Sequence, residues 1–260
     1  MMQMRSLKLA LPALVVLGFA AMTTEVRASF IQLTNSYFQD FNSLPNSGKP
    51  NFSFPGWAIA SQDGKLYADN GNGTMANIYS YGANGSTDRA LGALTSGGNA
   101  PIFGASFQNS GAGAMNRLNI SYTGEEWRLG VAGHANTLQF SYSLNASGVK
   151  DNNATWINVP SLGFTTPNLV GVGAHDGNLA ANRTQIAGTI SFLNIAPGQT
   201  FWIRWQQPGG GMTFVGDGLA VDNFSISAVP ETSTALAGFG ALGLIAGGFW
   251  KRRSVKLQVA

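Results

Sequence analysis

The sequence predicts an all-β protein, a two-sheet sandwich of jelly-roll type, and three observations carry the prediction. Short alternating or aromatic-rich runs recur through residues 29–228, each bounded by Gly, Asn and Ser clusters. No long stretch sustains the 3.6-residue period of an amphipathic helix. The composition agrees: 34 glycines in 260 residues and only 10% charged side chains, against roughly 25% in an ordinary soluble domain. The 44% of hydrophobic residues excludes a disordered polyelectrolyte. With no cysteine, a disulfide scaffold, a thiolate metal centre and a cysteine nucleophile are excluded.

In chain order, strands are expected at Ser36–Phe41, Ala76–Tyr81, Asn116–Tyr122, Thr137–Tyr142, Gly188–Phe192, Phe201–Trp205 and Leu219–Ile226. Period-2 alternation assigns their faces. Leu138, Phe140 and Tyr142 share one face, away from Thr137, Gln139 and Ser141. Phe201, Ile203 and Trp205 share another, which turns Trp202 and Arg204 outward. Asn84-Gly85 and Asp69–Gly73 carry turn chemistry. No linker-like stretch divides the roughly 200 residues, so residues 29–228 read as one domain.

Both ends read as targeting segments. Arg5 and Lys8 precede the apolar run Leu9–Met22, and Val26-Arg27-Ala28 sets small residues at a cleavage site. Residues 1–28 are therefore expected to be a signal peptide, an N-terminal helix cleaved after Ala28. Near the other end, Thr232–Trp250 holds no charge and is long enough for a transmembrane helix. Lys251, Arg252 and Arg253 follow it as a membrane stop, which keeps residues 254–260 cytoplasmic.

Val229-Pro230-Glu231-Thr232-Ser233, the glycine-rich span and the basic cluster together resemble the PEP-CTERM sorting signal, here over residues 229–253. The third motif position is Thr232 in place of proline. The resemblance implies an exported bacterial protein held in the membrane by its C-terminal helix. Exosortase would then cleave it near Pro230-Glu231, leaving the domain at the cell surface or in the extracellular matrix.

The ends also account for the charge. The whole chain carries a formal +3, but residues 29–230 hold eight cations against ten anions, a net −2. No three cations cluster there, so the electrostatic footprint of a nucleic-acid binder is missing.

Within the domain, several segments are similar to a bacterial extracellular module with a carbohydrate-binding-type β-sandwich. They are Tyr79-Ser80-Tyr81-Gly82, Ser86–Gly92, Tyr122–Arg128, Phe140–Ser143, Trp156, Phe201–Trp205 and Gly218–Phe224. The match spans most of residues 37–227 and implies architecture more than activity. Carbohydrate-binding jelly rolls often hold a structural calcium between an early acid and an Asp of the last strand. Asp40 and Asp222 stand at those two places, so the resemblance implies a calcium site there. Asp69-Asn70-Gly71-Asn72-Gly73 fails the EF-hand spacing, because glycines fill its third and fifth positions.

Catalytic patterns are thin. His134 and His175 lie in loop-like sequence, with no nucleophile elbow and no His-Glu-x-x-His. Both are expected on the surface. Glu125-Glu126 are neighbours, a poor geometry for flanking a glycosidic bond. Glu126 is expected to pair with Arg128 while Trp127 faces the core. Arg89 is expected to brace a carboxylate or a backbone carbonyl inside the fold.

Sugar sites stack rings on aromatic side chains and add a few polar contacts. Trp202, with Arg204 beside it on the outer face, is the first choice for an exposed platform, and Trp57 the second. The sequence therefore points to a non-enzymatic, surface-sorted sandwich that binds extracellular polysaccharide or builds the envelope and biofilm matrix. The alternatives are a secreted hydrolase with an unrecognised carboxylate site and a purely structural surface protein.

Overall fold

The computed structural model describes residues 30–208 and 215–230. The predicted signal peptide, the transmembrane span, Glu231 and the Lys251-Arg252-Arg253 stop lie outside the described residues. Among those described, no helix is long and apolar enough to cross a membrane.

Among the described residues fifteen strands follow one another. They are β1 (Ile31–Leu33), β2 (Ser36–Gln39), β3 (Trp57–Ala60), β4 (Leu66–Asp69), β5 (Asn77–Tyr81), β6 (Ala90–Ser96), β7 (Ile102–Asn109) and β8 (Met115–Leu129). After these come β9 (Thr137–Ser143), β10 (Ile157–Asn158), β11 (Phe164–Thr165), β12 (Gly173–Ala174), β13 (Arg183–Ile190), β14 (Thr200–Gln206) and β15 (Val215–Pro230). They form two sheets. The first has seven strands in the order β1-β7-β14-β9-β10, with β3 beside β7 and β11 beside β9. The second has eight in the order β12-β8-β15-β6-β5-β4, with β13 beside β8 and β2 beside β15. The all-β, two-sheet expectation is met. Most pairs are antiparallel, but β1 with β7 and β4 with β5 are parallel.

Alternation places the core between the sheets. Leu138, Phe140 and Tyr142 are buried on β9, and Phe201, Ile203 and Trp205 on β14. Trp205 sits at the centre. Its ring lies 5.5 Å from Phe103 and 5.2 Å from Phe140 of its own sheet. Across the gap it meets Tyr122 at 5.6 Å and Phe224 at 5.5 Å, both nearly perpendicular to it. Edge-to-face packing of this kind lets the positive ring edge meet the negative ring face. One side chain thus joins both sheets.

β15 is the spine of the second sheet, pairing with β8, β6 and β2. Its register against β8 shifts between Asp222 and Ser225. Asn223 there has φ +50°, a left-handed conformation that Asn tolerates better than most residues. The bulge adds one residue, so Asp222 and Ser225, of opposite parity, both turn to the outer face opposite Thr123 and Ser121.

Replacing Trp205 with Ala is expected to cost about 3–5 kcal/mol, the range for an emptied aromatic core site. Urea unfolding of the purified domain measures it. A loss below about 1 kcal/mol would show that the ring does not hold the sheets together.

Candidate functional site

The outer face of the first sheet carries the predicted platform, and here the structure corrects the sequence. Trp202 does point away from the core, but it is only 6% exposed. Residues 144–156, between β9 and β10, fold back over the sheet. Ala146 and Val149 of this segment pack with Trp202 and Ile102, and Trp156 joins them. Arg204 fastens the segment down. Its Nε donates to Ser141 Oγ at 3.2 Å, its Nη1 to the Val149 carbonyl at 3.2 Å, and its guanidinium lies 3.7 Å from the Trp156 ring centre. Arg204 is therefore a brace. Alternation gave the face of these residues, but the covering segment is a fold-level fact that no strand pattern announces.

Trp57 is likewise 6% exposed. Phe54-Pro55-Gly56-Trp57 forms a tight turn closed by the Trp57 N–H on the Phe54 carbonyl at 3.0 Å, with Gly56 at φ +76°. A proline followed by a left-handed glycine is the type II arrangement. The turn drives the Trp57 ring inward, stacked 6.1 Å from Trp205, with its indole N–H on Tyr37 Oη at 3.1 Å. Beside this turn a cleft of about 470 Å³ opens, lined by Phe52, Phe54, Pro55, Trp57, Ser106 and Trp202 among others. The two predicted tryptophans do meet at one cleft. Its accessible rings are the half-buried Phe52 and Phe54. The sequence analysis missed both; the aromatic alternation Phe52-Ser53-Phe54 ahead of Pro55-Gly56 is the signal that could have found them.

The acids divide by face. Glu126 faces away from Glu125, so the two do not flank a common bond. Glu125, 2% exposed, accepts the Trp127 indole N–H at 2.9 Å, and burial pushes its carboxyl up to about 8. Asp222, 4% exposed, is pushed to about 7 by burial and then by the charges of Asp88 and Asp40. Its Oδ2 takes the Asn223 amide at 2.7 Å, while its buried Oδ1 has no hydrogen-bond partner. Asp40 accepts the Asn42 N–H at 3.2 Å. A hard cation fits this arrangement: a buried, unpartnered carboxylate oxygen surrounded by like charges. Among the described residues no three acid or imidazole side chains converge on one point. Backbone carbonyls and water would then complete the six to eight oxygens that calcium takes. Asp217 shows the contrast. It too is buried, but donors from Gly130, Asn136 and Thr166 satisfy it.

Glu126 does not pair with Arg128, as the sequence had suggested. Its Oε1 lies 2.8 Å from His175 Nδ1, and its Oε2 accepts the Asn168 N–H at 3.0 Å. His175 Nε2 donates to the Gly171 carbonyl at 2.6 Å, so its side chain is held inside, and only His134 is the exposed histidine expected. Arg128 instead reaches the Gly71 carbonyl at 3.0 Å. Trp127 is buried, but on the outer side of its sheet, stacked 6.0 Å from Tyr81. The loop over it needs Gly71, at φ +94°, because a Cβ there would lie 1.8 Å from the Trp127 carbonyl. Arg89 meets its expectation, donating to Ser80 Oγ and to the carbonyls of Ser80, Asp69 and Ala83.

No protein-family profile and no curated protein matches the sequence. Among solved structures, the chain is similar to a CBM22-1 xylan-binding domain from Paenibacillus barcinonensis Xyn10C, at 12% identity and a TM-score of 0.36. That match covers 77% of this chain and 99% of the other. The K3 adhesin domain of Lys-gingipain from Porphyromonas gingivalis matches at 13% identity and a TM-score of 0.39, covering 74% and 98%. A CBM4 structure matches at 12% and 0.34, covering 67% and 95%. Likenesses this distant assign neither a family nor a ligand; the fold rests on the chain's own two sheets.

The raised acids set a pH dependence. Glu125, Glu126 and Asp222 all favour the neutral form in the fold. Their protonation therefore favours the folded state at low pH, and that stability is lost as pH rises from about 4 through 7 and 8. In EDTA, the melting temperature is expected to be higher at pH 5 than at pH 8.5. A melting temperature that rises over this interval would contradict the assignment.

Proposed function

We propose that the domain is a non-catalytic, polysaccharide-binding β-sandwich displayed outside the cell. The cleft at the Phe54–Trp57 turn is the observation that carries this reading. It sets the half-buried rings of Phe52 and Phe54 beside the exposed Ser53, over a floor that includes the buried Ser106 and Trp202, a pairing of apolar ring faces with polar groups of the kind pyranose rings require. A net charge of −2 over residues 29–230 suits a neutral polymer better than a polyanion. The xylan-binding domain among the similar structures is named for the same ligand class.

The route to the surface is part of the proposal. Signal cleavage after Ala28, retention by the C-terminal helix before Lys251-Arg252-Arg253, and exosortase cutting near Pro230-Glu231 would free the domain at the cell surface or into a biofilm matrix. β15 ends at Pro230, so a cut at that point leaves every described strand intact.

The Phe52→Ala/Phe54→Ala double variant, shown by its melting curve to remain folded, is expected to bind neutral polysaccharide about tenfold or more weakly in affinity electrophoresis. Unchanged binding would remove the cleft from the account. Release of reducing sugar from the same polymers by the wild-type domain would overturn the non-catalytic reading.

We propose further that Asp222, with Asp40 nearby, holds a structural calcium ion, which would supply positive charge to the unpartnered carboxylate. Calcium is expected to raise the melting temperature at pH 8 and to do less at pH 5, where Asp222 is protonated. Asp222→Asn should abolish the calcium response and, in EDTA at pH 8, melt above the wild type. A wild-type domain indifferent to both calcium and EDTA would rule the ion out.

A further inference from the structure

The outer face of the second sheet carries a trough that the reading above does not use. The registers align β2, β15, β8 and β13 side by side. Phe38 of β2 stands opposite Ser225 of β15, Ser225 opposite Ser121 of β8, and Ser121 opposite Ala187 of β13. Partners directly opposite in antiparallel strands share a face. Ser225, Ser121 and Ala187 are the small-residue floor of a lane crossing the strands, with Phe38 at its β2 end. Four strands make it about 14 Å long at the usual spacing of about 4.8 Å.

A rung of hydrogen-bonded side chains bounds the lane on each side. Thr189 Oγ1 donates to Asn119 Oδ1 at 2.9 Å on one side, and Thr123 Oγ1 donates to Gln185 Oε1 at 3.1 Å on the other. Asn119 and Thr123 are four residues apart on β8, so the rungs stand about 13 Å apart. Two open depressions of about 390 Å³ each lie on this face, one at Asn119, Ser121 and Ser225, the other at Thr123, Arg183 and Gln185.

The rungs fix which groups remain to bind. Each uses the amide oxygen, so Asn119 Nδ2 and Gln185 Nε2 have no hydrogen-bond partner among the described residues. Ser121, Ser225 and Ser227 add hydroxyls. Phe38, at the β2 end of the lane, is 59% exposed. Its neighbour Tyr37 packs inward on Phe107, so the Phe38 ring faces the lane and not the core. Arg183 and the exposed Arg117, two residues from Asn119 on β8, are cations on this face, and the charges of Asp40 and Asp88 reach it beside Asp222. Polar donors, hydroxyls, one exposed ring and little net charge describe a surface for a neutral polyol chain.

We infer that this trough is a second saccharide-binding surface, on the opposite sheet from the Phe52–Phe54 cleft, taking a short run of a neutral, extended polysaccharide with one sugar ring stacked on Phe38. The inference rests on the polysaccharide-binding reading and goes beyond it in number and place. A domain with binding surfaces on both sheets cross-links polymer chains, where a domain with one surface only attaches to them. Linking two sites in one body also raises avidity for a polymer without new contacts.

The test uses the folded domain and a neutral oligosaccharide too short to span both sheets, drawn from the polymer that the wild type retains best in affinity gels. Calorimetric titration is expected to show two sites per chain. Phe38→Ala, and separately Ser121→Trp to fill the trough, are each expected to reduce this to one while leaving the affinity of the remaining site unchanged. Phe38 is exposed and Ser121 half-exposed, and melting curves establish that both variants fold. Two sites that survive both substitutions, or one site lost only with Phe52→Ala/Phe54→Ala, would overturn the trough and leave the cleft standing. Loss of binding only to anionic polymers, through Arg183→Ala, would overturn the assignment to a neutral ligand. A wild type that binds no saccharide at all would overturn the polysaccharide reading itself.

Discussion

The packing of Trp205 against both sheets is the contact on which the rest of the molecule depends. Phe103 and Phe140 fix the ring within its own sheet, and Tyr122 and Phe224 grip it from the other. Trp57 stacks on it in turn, which anchors the Pro55-Gly56 turn and so sets the edge of the cleft. Phe224 follows Asn223, the left-handed residue of the β15 bulge. Seating that phenylalanine in the core therefore helps fix the bulge that turns Asp222 and Ser225 outward. The candidate cation site, the trough and the cleft are thus all positioned from one aromatic junction.

Much of this was legible in the sequence, and the failures have physical causes. β9 alternates large apolar and polar residues and β14 sets Phe201, Ile203 and Trp205 at alternate positions, and their faces came out as expected. β7, which binds β3 and β14, escaped notice because Gly104, Ala105 and Ser106 give its middle little β-propensity. β6 reads Ala-Leu-Gly-Ala-Leu, with no alternation to mark it. β13 begins at Arg183, several residues ahead of the expected strand, because its pairing with β8 and not its own composition defines it.

At the candidate sites, parity told which way Trp202 and Arg204 point but not what would cover them. The segment 144–156 carries no strand signal, and its docking depends on Arg204 stacking over Trp156. Glu126 and His175 are 49 positions apart, so only the fold brings them together. Phe38 was marked as part of a strand, but its exposure follows from β2 lying at a sheet margin. The bulge at Asn223 is the subtlest case: without that one extra residue, strict alternation would turn Ser225 toward the core and close the trough.

A nearly neutral exterior over several buried, uncharged-leaning acids suits a domain that meets neutral polymers. The acids that remain inside, Glu125, Glu126 and Asp222, are organised around strand bulges and loop attachments and not around a reacting bond. The surfaces left for ligands are hydroxyls, amides and a few rings. Backbone amide chemical-shift mapping of the isotopically labelled domain during titration with a neutral oligosaccharide is the most direct test of this account. The account predicts shifts confined to residues 52–58 with Ser106, and to the Phe38–Ser121–Ala187 lane. Shifts absent at saturating saccharide, or clustered around Glu126 and His175, would contradict it.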